Sequence, residues 1–271
     1  MSKFAPSKKL PPAIAILAPT ASGKSNLALS ITDHFPIEII SIDSAQVYRY
    51  MDIGSAKPDP QILTKIPHHL INLIDPDQQY SAAQFRHDAL LTMKEITRRG
   101  NIPLLVGGTM LYFKALREGL SDLPPADQQI RKEIEASAAE NGWSTLHHLL
   151  QSVDPMSAER IQPNDSQRIQ RALEIYYLTG KPMSQQMVSS QPTSIPYRLI
   201  SIALLPSDRK VLHQRIQHRF ETMLEMGLIE EVRSILSQFS LTLEMPSMRC
   251  VGYRQVYQYL QGQLSLMELR E

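Results

Sequence analysis

The sequence predicts an α/β fold: a parallel-sheet core carrying a phosphate-binding loop (P-loop), with a small helical insertion domain. Three observations carry this. First, three short apolar runs rich in β-branched residues, Ala13–Leu17, Ile37–Ile42 and Ile102–Val106, each end in small or polar residues. Their length and flanking turn signals favour buried parallel strands over helices. Second, helical patterns over Lys24–His34 and Ala82–Arg99 fall between them, and strand–helix alternation builds a doubly wound sheet. Third, "LAPTASGKSNLAL" places Gly-Lys-Ser between the first strand and the first helix.

Composition narrows the function class. A chain of 271 residues with 42% hydrophobic content can bury a sizeable core, which argues against global disorder. Lys+Arg 28 against Asp+Glu 27 gives a net charge of +1, a total in which a local basic stripe for nucleic acid can still hide. The single cysteine, Cys250, cannot form an internal disulfide, and no Cys/His cluster has zinc spacing. No apolar run reaches the roughly 18 residues that span a bilayer. Lys3, Lys8 and Lys9 ahead of the first apolar run mimic a signal peptide, but the prolines before it and Gly-Lys-Ser after it argue against one. The expectation is a cytoplasmic enzyme with no membrane segment.

Taken in order, the first feature is the loop "APTASGKS", residues Ala18, Pro19, Thr20, Ala21, Ser22, Gly23, Lys24 and Ser25. Such a loop turns backbone N–H groups toward phosphate oxygens in front of a helix N-terminus. It needs a lysine for the negative charge and a hydroxyl for Mg2+, supplied here by Lys24 and Ser25. Ala18 stands where the pattern has its first Gly, which is tolerable where φ stays negative. The second strand ends in Asp43, and two roles fit it: holding magnesium, or taking a proton from a nucleophile. The third ends in Gly107-Gly108-Thr109. Two glycines admit a ligand close to the backbone, and the Thr109 hydroxyl either donates to a leaving group or simply caps the helix "MLYFKAL".

From about Leu120 the texture changes. Pro124 and Pro125 break the chain, and Asp127–Asn141 and Ser166–Leu178 read as helices with a charged face. No strand-like run follows until Arg198–Leu205, "RLISIALL", which reads as a return to the sheet. The expected organisation is therefore a core of 1–121 and 196–271 around a helical insertion, 122–195. The Ser/Gln/Pro-rich "SQQMVSSQPTSIPY" closing the insertion reads as a mobile linker, and Asp208–Phe239 has helical periodicity. The His pairs at 68–69 and 147–148 are assigned no metal, because adjacent side chains on a helix or strand point apart.

"APTASGKS", "DSAQVYRYMDIGSAKP", "VGGTMLYFKAL", "NDSQRIQRALEIY", "RFETMLEMGLIEEV" and "RCVGYRQV" together resemble one family in order and spacing. It is the bacterial tRNA dimethylallyltransferases, also called tRNA isopentenylpyrophosphate transferases. The resemblance implies transfer of a dimethylallyl group from dimethylallyl diphosphate to N6 of adenosine 37, beside the anticodon, in tRNAs reading codons that begin with U. It implies that the P-loop cradles the diphosphate of the donor, although such loops more often hold ATP. Asp43 becomes the base. Thr109 becomes a donor to the bridging oxygen, and Lys24, Arg219 and Mg2+ stabilise the leaving pyrophosphate.

By the same resemblance the tRNA anticodon stem-loop is met by Asp43, Ser44, Ala45 and Gln46, by Thr109 and Arg131, and by two further segments. These are Gln167, Arg168, Ile169, Gln170 and Arg171, and then Arg249, Cys250, Val251, Gly252, Tyr253 and Arg254. A monomer acting on a flipped-out base is implied. Family members continue past "LMELRE" through a basic, aromatic-containing helix that grips the tRNA. The competing readings are a P-loop small-molecule kinase using ATP through Lys24 and Asp43, and a nucleotide-binding switch without chemistry. The kinase reading accounts for neither Gly107–Thr109 nor "RCVGYR".

Overall fold

The apolar runs pair into a parallel sheet in the computed structural model of the chain, which describes residues 10–121, 123–189 and 194–270. Its strands are β1 (Pro12–Leu17), β2 (Ile37–Ile42), β3 (His68–His69), β4 (Ile102–Gly107) and β5 (Arg198–Ala203), in the order β3-β2-β4-β1-β5. Every pairing is parallel, with Ile42 beside Gly107 and Leu17 beside both Gly107 and Ala203. The carboxyl ends of β1, β2 and β4 therefore lie side by side. β2 is buried along its whole length, as an unalternated IEIISI run between two covered faces should be. The two-residue β3 is too short for any periodicity to reveal.

Helix α1 (Lys24–Thr32) covers one face over Ile16, Ile39, Leu104 and Val106. Helices α3 (Ala82–Arg98) and α4 (Met110–Glu118) supply Phe85, Ala89, Met93, Ile96, Tyr112, Phe113 and Leu116 to a second cluster with Ile40, Ile42 and Leu105. Between α1 and α3, α2 (Pro60–Lys65) is capped by Asp59. The start of α3 is set locally by a Ser81/Gln84 capping box. A third cluster joins Val47, Tyr48 and Met51 to residues from the carboxyl-terminal third of the chain. That third contains α10 (Arg209–Glu225), α11 (Leu228–Gln238), a 3₁₀ turn (Ser247–Arg249), α12 (Tyr253–Leu260) and α13 (Leu266–Arg270). The periodicity over Asp208–Phe239 thus becomes two helices, broken at Gly227, whose φ of 98° is one that glycine reaches at low cost.

The chain divides into two compact units, Met1–Arg117 with Ile195–Glu271, and Glu118–Ser194. Among its described residues the second has only helices: α5 (Gln128–Asn141), α6 (Trp143–Val153), α7 (Pro155–Arg160), α8 (Ser166–Thr179) and α9 (Met183–Ser189). Ile134, Leu146, Leu150, Ile169, Ala172 and Leu173 form its own core. Part of the stretch read as a mobile linker is ordered. Ser184 is buried, and its N–H and hydroxyl both donate to Asp154, the buried cap of α7. Residues 190–193 of that stretch lie outside the described residues, as do Lys3, Lys8 and Lys9. Ile195 and Tyr197 then pack into the sheet unit. No helix of the described residues is long and apolar enough to cross a membrane.

Candidate active site

The loop between β1 and α1 leaves the sheet at Ala18, whose N–H donates to Gly107 O at 3.4 Å. Ala21 (φ 61°) and Gly23 (φ 85°) adopt the left-handed conformation. The glycine question raised by the sequence at Ala18 therefore falls on Ala21, where an L-residue costs roughly 1–2 kcal/mol. Ser22 Oγ braces the turn on Pro19 O at 2.7 Å, and Lys24 Nζ reaches the same carbonyl at 3.4 Å. No side chain caps α1. Its first N–H groups stay open in front of the positive end of the helix dipole, a ready anion site. Burial lowers the Lys24 pKa; the charge of Asp43 opposes this and that of Arg219 adds to it.

Asp43 follows β2 directly. Its Oδ1 accepts the Ala45 N–H at 2.9 Å, and Oδ2 has no hydrogen-bond partner among the described residues. Its charge is felt by Lys24 and by Arg219, whose guanidinium burial destabilises and Asp43 supports. Burial first and Asp43 second push the Cys250 thiol and the Tyr112 phenol each up to about 12. One carboxylate thus lies within electrostatic reach of the P-loop lysine, an arginine of α10 and the 249–254 segment.

Thr109 is not a side-chain cap. Its N–H donates to Ile42 O at 3.1 Å, while Oγ1 accepts from Ser44 N at 3.0 Å and donates to Ser44 Oγ at 3.2 Å. The hydroxyl therefore holds the turn after Asp43. Gly107 also serves packing, since a Cβ there would collide with the carbonyl of Ile42. Gln46 accepts from Ser41 Oγ at 2.8 Å and donates to Ser55 O and Ala56 O, both at 3.3 Å. A cavity of about 250 Å³ is lined by Lys24, Ser25, Asp43, Gln46, Lys57 and Gly107, among others. P-loop and aspartate share it.

The 249–254 segment is divided in character. Arg249 is exposed and pairs with Glu244 at 2.8 Å; Val251 and Arg254 are exposed. Cys250 is partly covered, while Gly252 and Tyr253 are buried, Tyr253 completely. In the helical unit Gln167 and Arg168 face solvent, Arg168 beside Asp165 at 3.2 Å. Ile169 is fully buried, so its side chain belongs to the core and not to a binding face. Gln170 donates to Glu135 at 2.8 Å. Arg131 and Arg171 both clasp Glu174, at 2.8 and 2.5 Å, and Arg171 also donates to Pro124 O at 2.7 Å. Glu174 carries this arrangement, and the sequence does not single it out, since there it is one more acidic residue on an amphipathic helix.

The IPP transferase family model matches residues 46–271. A tRNA dimethylallyltransferase of Nitrosomonas eutropha is 63% identical over 98% of this chain and 84% of its own length. One from Nitrosospira multiformis is 60% identical over 96% of this chain and 81% of its own. The crystal structure of a tRNA isopentenylpyrophosphate transferase from Bacillus halodurans matches with a TM-score of 0.64 and 36% identity, covering 96% of this chain and 80% of that one. A eukaryotic dimethylallyltransferase acting on tRNA matches with a TM-score of 0.78 and 28% identity, over 96% of this chain and 65% of that one. These matches favour the prenyltransferase reading over a P-loop kinase, and the chain belongs to the IPP transferase family, that of the tRNA dimethylallyltransferases.

Proposed function

We propose that this chain moves a dimethylallyl group from dimethylallyl diphosphate to N6 of adenosine 37 in tRNAs reading codons that begin with U. The observation that carries this reading is the shared cavity: the P-loop residues Lys24 and Ser25 and the carboxylate Asp43, one of whose oxygens is unpaired, line the same space. The N6 lone pair attacks the allylic carbon, the bond from that carbon to the bridging oxygen breaks, and pyrophosphate leaves with the electron pair. The exocyclic amine is a poor nucleophile that gains positive charge as it attacks, and Asp43 accepts its proton. Lys24 and Arg219, both partly buried, oppose the negative charge growing on the leaving group. Thr109 donates to the bridging oxygen by turning its hydroxyl from Ser44.

Mg2+ fits this site only together with the diphosphate. Among the described residues no group of three or more His, Cys, Asp or Glu could hold a metal ion, whereas Ser25, at the start of α1, lines the cavity and supplies a hydroxyl. Magnesium held by few protein ligands and by phosphate oxygens has the expected hard-oxygen environment. When bound it supplies charge neutralisation for the leaving group. Arg131, Gln167, Arg168, Gln170 and Arg171 on the helical unit, and Arg249, Val251 and Arg254 on the sheet unit, meet the anticodon stem-loop. The enzyme acts as a monomer in the cytoplasm, where its RNA substrate is found.

Incubation with labelled dimethylallyl diphosphate and an unmodified anticodon stem-loop tests the reading. Label in the RNA with equimolar pyrophosphate release is the expected result. An isoprenoid diphosphate should also raise the melting temperature more than ATP does. Stabilisation by ATP alone, with ATP consumed and no label in RNA, would return the kinase reading.

A further inference from the structure

Glu231 lies on α11, remote in sequence from the P-loop and from Asp43. Its Oε2 accepts the N–H of Asp52 at 3.0 Å and of Ile53 at 2.7 Å, and its Oε1 accepts the N–H of Gly54 at 3.3 Å. Three consecutive backbone donors converging on one anion make a nest of the kind that binds phosphate elsewhere; here a side chain fills it. Oε1 also accepts the Tyr253 hydroxyl at 2.6 Å. Burial, and then the charge of Glu231, push the Tyr253 phenol upward, so it stays protonated as a donor. One carboxylate ties the turn after β2 to the 249–254 segment.

The tie reaches a residue on the cavity wall. Beyond the nest, the carbonyls of Ser55 and Ala56 take the Gln46 amide N–H groups, and Ser41 Oγ donates to its carbonyl oxygen. The Gln46 amide is thereby oriented by the turn that Glu231 holds. Contact between the two segments is close: a Cβ on Gly54 would lie 2.5 Å from the Tyr253 ring. Lys57, nearly inaccessible, closes the far side by donating to Tyr48 O, Asp52 and Asn72, each at 2.6 Å.

We propose that Glu231 is a positioning residue for RNA recognition, setting Gln46 and the Arg249–Arg254 segment in register through one shared carboxylate. This rests on the reading that both segments meet tRNA. Glu231 makes no contact with the P-loop or with Asp43, so its loss should be felt more in RNA binding than in donor binding. Glu231→Gln replaces one acceptor oxygen with a donor that faces N–H groups already pointing inward, a mismatch that costs more than a lost bond.

The test uses the full chain, the stem-loop and dimethylallyl diphosphate, well below the melting temperature. For Glu231→Gln the expected result is a KM for the stem-loop raised about 10-fold or more, with kcat within about 3-fold and donor affinity within about 2-fold. Tyr253→Phe removes only the hydroxyl that joins the segments and leaves the nest filled. It should raise the same KM by a smaller factor, and the double variant should be no worse than Glu231→Gln alone, as residues acting through one contact are non-additive. An unchanged KM, a parallel loss of donor affinity, or multiplicative single effects would each overturn the proposal. Wild-type chain that labels no RNA would instead remove the functional reading on which it rests.

Discussion

Two carboxylates five residues apart, Glu38 on β2 and Asp43 just past its end, have opposite surroundings. Glu38, near the start of β2, is buried and saturated: Arg99 donates to both oxygens at 2.9 and 2.7 Å, Asn101 donates at 2.8 Å, and His69 Nε2 lies at 2.7 Å. The bonds from Arg99 chiefly, helped by Asn101 and His69 and opposed by burial, lower its pKa to about 2. Asp43, just past the other end, accepts one backbone N–H and lines a cavity shared with the P-loop lysine. A carboxylate that ties elements together uses its lone pairs on them. One that is to take a proton from a substrate must keep an oxygen free. Strand β2 thus has a saturated carboxylate near its start and, just past its end, one with an oxygen left open.

That contrast is sharpest in the pair Asp43→Asn and Glu38→Gln. Asp43→Asn keeps the Asx turn but removes the proton acceptor, so transfer should fall by about 10²–10⁴, the range for one general base, with donor binding and melting temperature nearly unchanged. Loss of magnesium-dependent donor binding in this variant would move Asp43 to the metal-holding role. Glu38→Gln should do the reverse. Replacing a charge-assisted bond set with neutral ones costs on the order of 2 kcal/mol of stability, or roughly 4–8 °C in Tm for a unit of this size, with kcat unchanged at permissive temperature. A slowed enzyme of normal stability would break the comparison.

Thr109→Ala has an expected effect of roughly 10–10² in kcat, matching the 1.5–3 kcal/mol of a hydrogen bond to a charged group. Thr109→Ser, which keeps the hydroxyl, should recover most of it. If Ser and Ala behave alike, Thr109 acts by shaping the Ser44 turn and not by donating. The smallest effect is in acid. The Glu38 pKa in the folded chain, about 2, lies below the ordinary 4.5, so the folded state binds fewer protons. Its stabilisation is complete above about pH 4.5 and drains away as the pH falls toward 2, with roughly 1 kcal/mol gone by pH 3.5. Denaturant midpoints of wild type and Glu38→Gln should therefore converge as the pH drops through this window.

Much of this was legible along the chain. β1, β2 and β4 are local apolar runs, the P-loop is a local motif, and α3 announces its start with a capping box, so neighbouring residues suffice to place each one. Asp43 and Thr109 stand out because ligands in such sheets gather at strand carboxyl ends. The segments read as RNA-facing were less well resolved. The motif spacing marked residues 167–171 and 249–254 as blocks, while burial splits each block, sending Ile169 and Tyr253 into cores and leaving Arg168 and Arg254 in solvent.

What the sequence by itself determined is the set of elements whose cause is local: period, cap, turn and motif. Only the tertiary structure decided where the glycine demands fall, since Gly107 is required by a carbonyl of β2 and no one-dimensional pattern records that approach. It alone turned the Thr109 hydroxyl toward Ser44 and away from its own helix. It alone distinguished Glu174 and Glu231 from the other acids on their helices. Their partners lie as far as 47 and 179 residues away, and hydrogen bonds of that separation exist only once the chain has folded around them.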